Sequence, residues 1–167
     1  MSHFQFWDLG FPALTEEMIL SNRTELNGWY FKAPHVQLMI SSVNNSLFLP
    51  DAPSLVHFNK GKIENPGPDN LSPDFPSLIV LLNNFYSNSE IRTCYHAMCF
   101  KDGYLHNNNG PAGFKFLDNE CKWQNDQPII NKSDEQEFWY YGDYLSRSDY
   151  NQLIKKHRLK YLISQVK

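Results

Sequence analysis

Three cysteines and a few histidines are the side chains that could support catalysis or metal binding. Cys94 and Cys99 bracket His96, while His106 and Cys121 follow later in the chain. Structural zinc sites usually use closely spaced cysteine pairs, and four residues between Cys94 and Cys99 is the loose limit of that spacing. In a strand, Cys94 and His96 would face one side and Cys99 the other. We therefore expect no metal site and no cofactor, with the cysteines packed as small hydrophobic residues.

A cysteine hydrolase is the catalytic alternative, because His35, His96 or His106 could activate one of the thiols. The sequence contains no Gly-x-Ser-x-Gly nucleophile motif, no His-Glu-x-x-His zinc motif and no Gly-x-x-x-x-Gly-Lys-Ser/Thr phosphate loop. We therefore expect a protein that is not an enzyme, and a cysteine-dependent enzyme is the least favoured alternative.

Composition indicates a globular chain that is rich in aromatic residues. Of its 167 residues 41% are hydrophobic and 15% aromatic, with 12 Phe, 9 Tyr and 4 Trp. This length fits a single domain over residues 1–167, and aromatic residues suit both strands and interfaces. The net charge of −3 provides no field that would attract nucleic acid. A nucleic-acid partner is therefore not expected.

Glycine-containing turns are the elements that would position the aromatic side chains. Turn-forming sequences separate aromatic-bearing runs at residues 102–103, 107–111 and 118–119. Asp-Gly and Asn-Gly favour turns because both residues tolerate positive φ. The pattern predicts a meander of short antiparallel strands, with a repeat-like hairpin region over residues 91–145. Three glycines recur at intervals of 42 and 39 residues, as in a degenerate repeat: Gly61, Gly103 and Gly142.

Three segments are predicted to be helical. Thr15, followed by two acidic residues, marks the start of a short helix that ends near Asn22. Residues 77–86 carry apolar side chains at i, i+3, i+4 and i+7 spacing, which predicts a buried helix. Ser146 can cap a C-terminal helix over about residues 148–164. One face of that helix would carry Tyr150, Leu153, Ile154, His157 and Tyr161.

The remaining segments predict strands and one long loop. Strands are expected at residues 36–40, 47–49, 55–58 and 91–100, where apolar residues alternate or cluster. Residues 64–76 contain four prolines, which predicts a loop and a place for a subdomain border. The predicted fold class is α+β: antiparallel β-hairpins or a meander, with a C-terminal helix and one or two further helices.

The predicted C-terminal helix is strongly basic. Five of the 15 Lys and Arg residues lie in the last 13 positions: Lys155, Lys156, Arg158, Lys160 and Lys167. A solvated helix face explains this pattern most simply. An acidic partner or a phosphate backbone is the functional alternative, although no motif for nucleic-acid binding accompanies it.

Residues 102–112 resemble a repeat unit, N-G-x-L-H-R-x-x-G-P-A, that recurs in uncharacterised bacteriophage and bacterial proteins related to MORN-like β-hairpin repeats. The match covers Gly103, Leu105, His106, Gly110, Pro111 and Ala112, and Asn107 stands where arginine is usual. Residues 138–150 are similar to the strand and short helix that often end such proteins. The resemblance implies a hairpin architecture and is compatible with a phage origin, but it implies no activity. We expect His106 to bond to the loop that follows it.

These features favour a non-catalytic binding protein. The leading hypothesis is a phage-type accessory or inhibitor protein that occludes a host defence or metabolic protein through exposed aromatic side chains. The alternative is a small-ligand binder such as a nucleotide sponge, in which Arg23, Arg92 or Arg147 would pair a phosphate. The sequence has no signal-peptide pattern and no run of 18 apolar residues, so we expect a cytoplasmic protein without a membrane partner. The predicted binding residues are Trp29, Tyr30, Tyr104, His106, Trp139, Tyr140, Tyr141 and Arg147.

Overall fold

The computed structural model describes residues 5, 9–36, 39–41, 46–48, 52–64, 76–108, 110–125, 127–130 and 134–166. The helices are α1 (Glu16–Ser21) and α2 (Arg147–Ser164), and short 3-10 helices occupy Arg23–Glu25 and Asp118–Glu120. The strands are β1 (Gly28–Lys32), β2 (Met39–Ser41), β3 (Ser46–Phe48), β4 (Ser54–Asn59), β5 (Lys62–Ile63), β6 (Leu78–Ser87), β7 (Glu90–Met98), β8 (Phe100–Lys101), β9 (Tyr104–Leu105), β10 (Gly113–Leu117), β11 (Cys121–Gln124), β12 (Gln127–Ile130), β13 (Asp134–Tyr140) and β14 (Asp143–Leu145).

An antiparallel meander forms the main sheet. Its strands pair in the order β1-β4-β6-β7-β10-β13-β14, and β5 adds to β4. Three separate two-stranded hairpins, β2-β3, β8-β9 and β11-β12, branch from the connections between these strands. The fold is α+β with dominant antiparallel hairpins and a C-terminal helix, which confirms the predicted fold class.

The sheet buries apolar side chains on both faces. Consecutive residues of a strand point to opposite faces, and Leu55 and Val56 are both fully buried. Leu55 is in register with Ile79, and Ile79 with Ala97. These three side chains belong to one core cluster, whereas Val56 and its register partner Leu78 belong to a second. The two clusters therefore pack against opposite faces of the sheet.

The predicted helix over residues 77–86 is wrong. This segment is β6, which pairs with β4 and β7. Leu78, Ile79 and Val80 are all buried because both faces of the sheet are covered at this point. A continuous apolar run in a doubly covered strand cannot be separated from a helical stripe by periodicity alone. A bulge between Leu81 and Asn83 also shifts the inward–outward alternation of the strand, which makes its apolar pattern look more like that of a helix.

The other predicted strands correspond to observed ones with shifted limits. The expected strand at 55–58 is β4, the one at 47–49 overlaps β3, and the one at 91–100 covers β7 and the start of β8. The strand predicted at 36–40 is only partly present, because Val36 is buried outside any strand and β2 begins at Met39. Residues 37–38 and 49 lie outside the described residues.

Both terminal helix predictions are confirmed, together with their caps. The Thr15 side chain accepts a hydrogen bond of 3.2 Å from the N–H of Met18 at the start of α1. The Ser146 hydroxyl accepts one of 3.1 Å from the N–H of Asp149 at the start of α2. Most of the predicted loop, residues 65–75, lies outside the described residues. The strands before and after the loop, β5 and β6, both pair with β4, so the sheet continues across it.

Candidate functional site

Four hairpin turns among the described residues share one backbone geometry. Both central residues of each turn have positive φ, as type I′ turns require. The pairs are Lys60-Gly61 (49° and 77°), Asn88-Ser89 (50° and 67°), Asp102-Gly103 (52° and 82°) and Tyr141-Gly142 (46° and 87°). They close the hairpins β4-β5, β6-β7, β8-β9 and β13-β14. Whether the three glycine-containing hairpins form one degenerate repeat stays a prediction.

His106 holds the Tyr141 turn in place. The backbone N–H of Tyr141 donates a hydrogen bond of 3.0 Å to His106 Nδ1. Nδ1 therefore carries no proton, and Nε2 donates its proton to Asn108 Oδ1 at 2.9 Å. The residue is only 3% exposed, and burial lowers the pKa of its imidazole to about 4. His106 is a neutral positioning residue in this arrangement.

Five rings join the two neighbouring hairpins to α2, and we call them the aromatic cluster: Tyr104, His106, Tyr140, Tyr141 and His157. His106 stacks on Tyr141 with centroids 3.9 Å apart, and Tyr140 stacks on His157 at 5.5 Å. Tyr104 meets Tyr141 edge-on at 6.4 Å. These contacts fix the orientation of each ring without covering the outer side of the cluster.

A groove of about 520 Å³ runs beside the aromatic cluster, and we call it the aromatic groove. The rings of Tyr140, Tyr141 and His157 form one part of its wall. Tyr161 and Arg158 of α2 form another part, and Tyr161 is 66% exposed. The remaining lining residues are Asn108, Ile154 and Leu162. The groove therefore presents phenol and imidazole rings next to one guanidinium group.

Tyr150 anchors α2 to the loop after His106. Its side chain is buried, and its hydroxyl donates to the Asn107 carbonyl and accepts the N–H of Gly110 at 3.2 Å. The Asn107 side chain donates to the Pro111 carbonyl at 3.0 Å, which closes the loop from inside. The asparagine that replaces the usual arginine of the repeat unit thus occupies a buried position.

A second groove, of about 610 Å³, lies between α2 and this loop, and we call it the cationic groove. Arg147, Lys155 and Arg158 line it, and none of its described lining residues is Asp or Glu. Phe138 forms part of its wall, with the guanidinium carbon of Arg147 5.7 Å from the ring centroid. Arg158 and Leu162 line both grooves, so the two are adjacent.

The structure brings four of the eight predicted binding residues together in the aromatic cluster. These are Tyr104, His106, Tyr140 and Tyr141. Trp139 lies beside them but is half-buried, and its indole N–H donates to Glu137 Oε2 at 3.2 Å. Arg147 lies in the cationic groove, where it also donates to Gln136 Oε1 at 3.4 Å.

The prediction that Trp29 is an exposed anchor is wrong. Its side chain is 5% exposed and packs against Trp123, with centroids 5.1 Å apart, and against Phe11 at 6.2 Å. Tyr30 is half-buried and meets the Phe58 ring at 5.8 Å. Both residues belong to β1, at the opposite end of the strand order from β14. They contribute to the core and not to either groove.

Sequence reasoning missed the contribution of α2 to the site. The sequence pattern places His157 and Tyr161 on one helix face with Tyr150, and Arg158 among the basic residues, without predicting that all three line one groove. It predicts Asn108 only as a turn former, although the Asn108 side chain bonds to His106. The available signal was the stripe that puts His157 and Tyr161 on the same helix face.

The cysteines, and two of the three arginines proposed to pair a phosphate, lie outside both grooves. Cys99 and Cys121 are buried, and burial raises the pKa of the Cys121 thiol to about 12, which opposes thiolate formation. Arg23 donates to the Gly61 carbonyl at 3.1 Å, and Arg92 pairs with Glu90 at 3.0 Å. The described residues contain no group of three or more His, Cys, Asp or Glu side chains placed to hold a metal ion.

Among the described residues, no helix is both long enough and apolar enough to cross a membrane. Comparisons with family models, curated proteins and solved structures found no match to this chain.

Proposed function

We propose that this chain is a non-catalytic binding protein whose aromatic groove contacts and occludes the surface of another protein. The single observation that supports this most is the rigid cluster of rings that borders an open groove. Tyr141 is 40% exposed, and Tyr161, which belongs to α2, is 66% exposed. Tyrosine is among the residues that contribute most to protein interfaces.

Preorganisation adds to this argument. Tyr141 is fixed by its stacking on His106 and by its backbone hydrogen bond to the same imidazole. Tyr140 is fixed between Tyr141 and His157. Side chains that are already ordered lose little conformational entropy on binding, which otherwise costs about 0.5–1.5 kcal/mol for each mobile side chain. A partner would therefore meet a surface that is ready for contact.

Two titratable groups of the aromatic cluster, His106 and Tyr140, are poorly suited to acid–base catalysis. Both nitrogens of His106 are engaged in hydrogen bonds, and burial lowers its pKa far below neutrality. Burial also raises the pKa of Tyr140, which keeps that phenol protonated. A general acid or base works best when its pKa lies near the working pH, and neither group satisfies this condition.

The test is recovery of a partner with a matched pair of variants. Because of the resemblance to phage and bacterial proteins, the source is a bacterial lysate. His157→Ala with Tyr161→Ala removes two rings of the aromatic groove, and both side chains are exposed. Leu20→Ala with Ile91→Ala removes two exposed apolar side chains outside both grooves. We expect the wild type and the control variant to retain one partner that the groove variant loses. Equal recovery by both variants, or no partner above background, contradicts the proposal.

A nucleotide-binding protein is the second candidate, and the dimensions of the aromatic groove favour it. Its volume of about 520 Å³ is suited to a small ligand. Tyr140 or Tyr161 could stack a base, and Arg158 could pair with a phosphate. A mononucleotide present at 100 times its Kd would stabilise the fold by about 2.7 kcal/mol. A thermal-shift panel of mononucleotides with no change in Tm excludes this candidate.

A further inference from the structure

The charges of this protein are divided between α2 and the rest of the chain. Helix α2 contains five cationic residues and one acidic residue, a net charge of +4: Arg147, Lys155, Lys156, Arg158 and Lys160 against Asp149. Because the whole chain carries −3, the remainder carries −7. Because the net charge of α2 is opposite to that of the rest of the chain, which we call the scaffold, the helix presents a local positive field that favours acidic partners.

The cationic groove concentrates this field beside an apolar surface. Arg147, Lys155 and Arg158 are placed along it, and no described residue that lines it is acidic. Its apolar lining includes Phe138 and Leu159, and Leu159 is 51% exposed. Carboxylates spaced by apolar side chains would satisfy both features of this groove.

We infer that the cationic groove binds an acidic polypeptide segment of the partner, an inference that rests on the proposed binding function. Helix α2 lines the groove from Arg147 to Leu162. At 1.5 Å per residue this length is about 22 Å, which an extended segment of about seven residues would span. Arg158 and Leu162 continue into the aromatic groove, so one partner could contact both grooves.

Other occupants fit the charges less well. In a symmetric dimer formed through this groove, two α2 helices of net charge +4 would face each other, which is repulsive. A nucleic acid or an anionic membrane extends well beyond the groove and would meet the scaffold of net charge −7. A short acidic segment contacts the helix alone. These alternatives become competing outcomes of the test.

The experiment uses the intact protein and a fluorescein-labelled peptide of about eight residues, mostly glutamate with leucines between the charges. A second peptide carries glutamine in place of every glutamate. Oligothymidine and phosphatidylcholine vesicles with phosphatidylglycerol represent the other anionic classes. Binding is measured by fluorescence anisotropy, with titration of salt from about 50 to 300 mM.

Matched variants locate the binding. Lys155→Gln with Arg158→Gln removes two cations from the groove, whereas Lys62→Gln with Lys122→Gln removes two exposed cations elsewhere. We expect the groove variant to bind the acidic peptide about tenfold more weakly than the control variant. Arg158→Lys, which keeps the charge, should retain most of the affinity.

Three results overturn the inference. These are equal binding of the glutamine peptide, equal affinities of the groove and control variants, and tighter binding of oligothymidine or vesicles than of the acidic peptide. The outcome is separable from that of the proposed function. If the His157 and Tyr161 variant loses the lysate partner but the wild type does not bind the acidic peptide, only the inference about the cationic groove is wrong. Peptide binding without any lysate partner removes the proposed function instead.

Discussion

Lowering the pH from 7 to 5 should destabilise this protein by about 2 kcal/mol through His106 alone. Burial lowers the pKa of this imidazole from 6.5 to about 4, so unfolding between those values takes up a proton. The contribution of His106 to the free energy of unfolding is complete above about pH 6.5 and decreases as the pH falls toward 4. The folded site has no acceptor for a second proton, because Nδ1 accepts the N–H of Tyr141 and Nε2 donates to Asn108.

Substitutions at two positions separate the effect of His106 protonation on stability from the general acid sensitivity of the protein. His106→Asn can keep an acceptor for the N–H of Tyr141, and His106→Gln can keep a donor to Asn108, but neither titrates. Both variants should lose stability at pH 7 and then lose about 2 kcal/mol less than the wild type between pH 7 and 5. Asn108→Asp places a carboxylate near Nε2, which favours the imidazolium, so it should also flatten the profile.

The assay is urea unfolding at half-unit intervals of pH, with the linear extrapolation applied to each curve. Burial also lowers the pKa of His57 and of His96, so part of the acid sensitivity should persist in every variant. The decisive quantity is therefore the difference between wild type and variant. Parallel profiles for the wild type and His106→Gln, or an NMR titration that places the pKa of His106 at 6.5 or above, would refute this reasoning.

Three further predictions concern the fold. Gly61→Ala should cost about 3 kcal/mol, because a Cβ there would lie 2.3 Å from the Arg23 carbonyl oxygen at a positive φ. Gly103 has a similar φ but open space around it, so Gly103→Ala should cost only about 1 kcal/mol. Equal urea midpoints for the two variants would show that position 61 is not crowded by the Arg23 carbonyl. Trp29→Ala should cost about 4 kcal/mol in urea unfolding because its ring is buried, and a loss below about 1 kcal/mol would mean that the ring is exposed. Ser146→Ala should cost about 1 kcal/mol through loss of the α2 cap, measured as a lower Tm, and an unchanged Tm would show that the cap is unimportant.

Local signals in the sequence were sufficient for the helices but not for the central strand. Thr15 and Ser146 cap α1 and α2 through bonds to residues three positions away, so these helix starts are local properties. Strand β6 is different, because Leu78, Ile79 and Val80 are buried by two different clusters on the two faces of the sheet. That environment is created by β4, β7 and the N-terminal segment, and no local pattern describes it.

The candidate site was predictable only where it depends on turns. The Gly103 turn follows from the local Asp-Gly sequence, whereas Gly142 was marked only by its spacing from Gly103; together the two turns bring Tyr104 and Tyr141 into one cluster. The burial of Trp29 could not be read from composition, because it requires Phe11 and Trp123 from distant parts of the chain. The grooves required the position of α2, which is set by the bonds of Tyr150 to the loop after His106.

The histidine of the repeat-like unit explains how a tyrosine can occupy the turn of β13-β14. In the other three hairpins the first central residue is Lys60, Asn88 or Asp102, while in this hairpin it is Tyr141 at φ 46°. A left-handed conformation costs a bulky residue about 1–2 kcal/mol. The hydrogen bond from its N–H to His106 and the stacking of the two rings offset this cost. Glycine or asparagine would satisfy the turn without such support, so a tyrosine at this position is what we expect if Tyr141 contacts the partner proposed above.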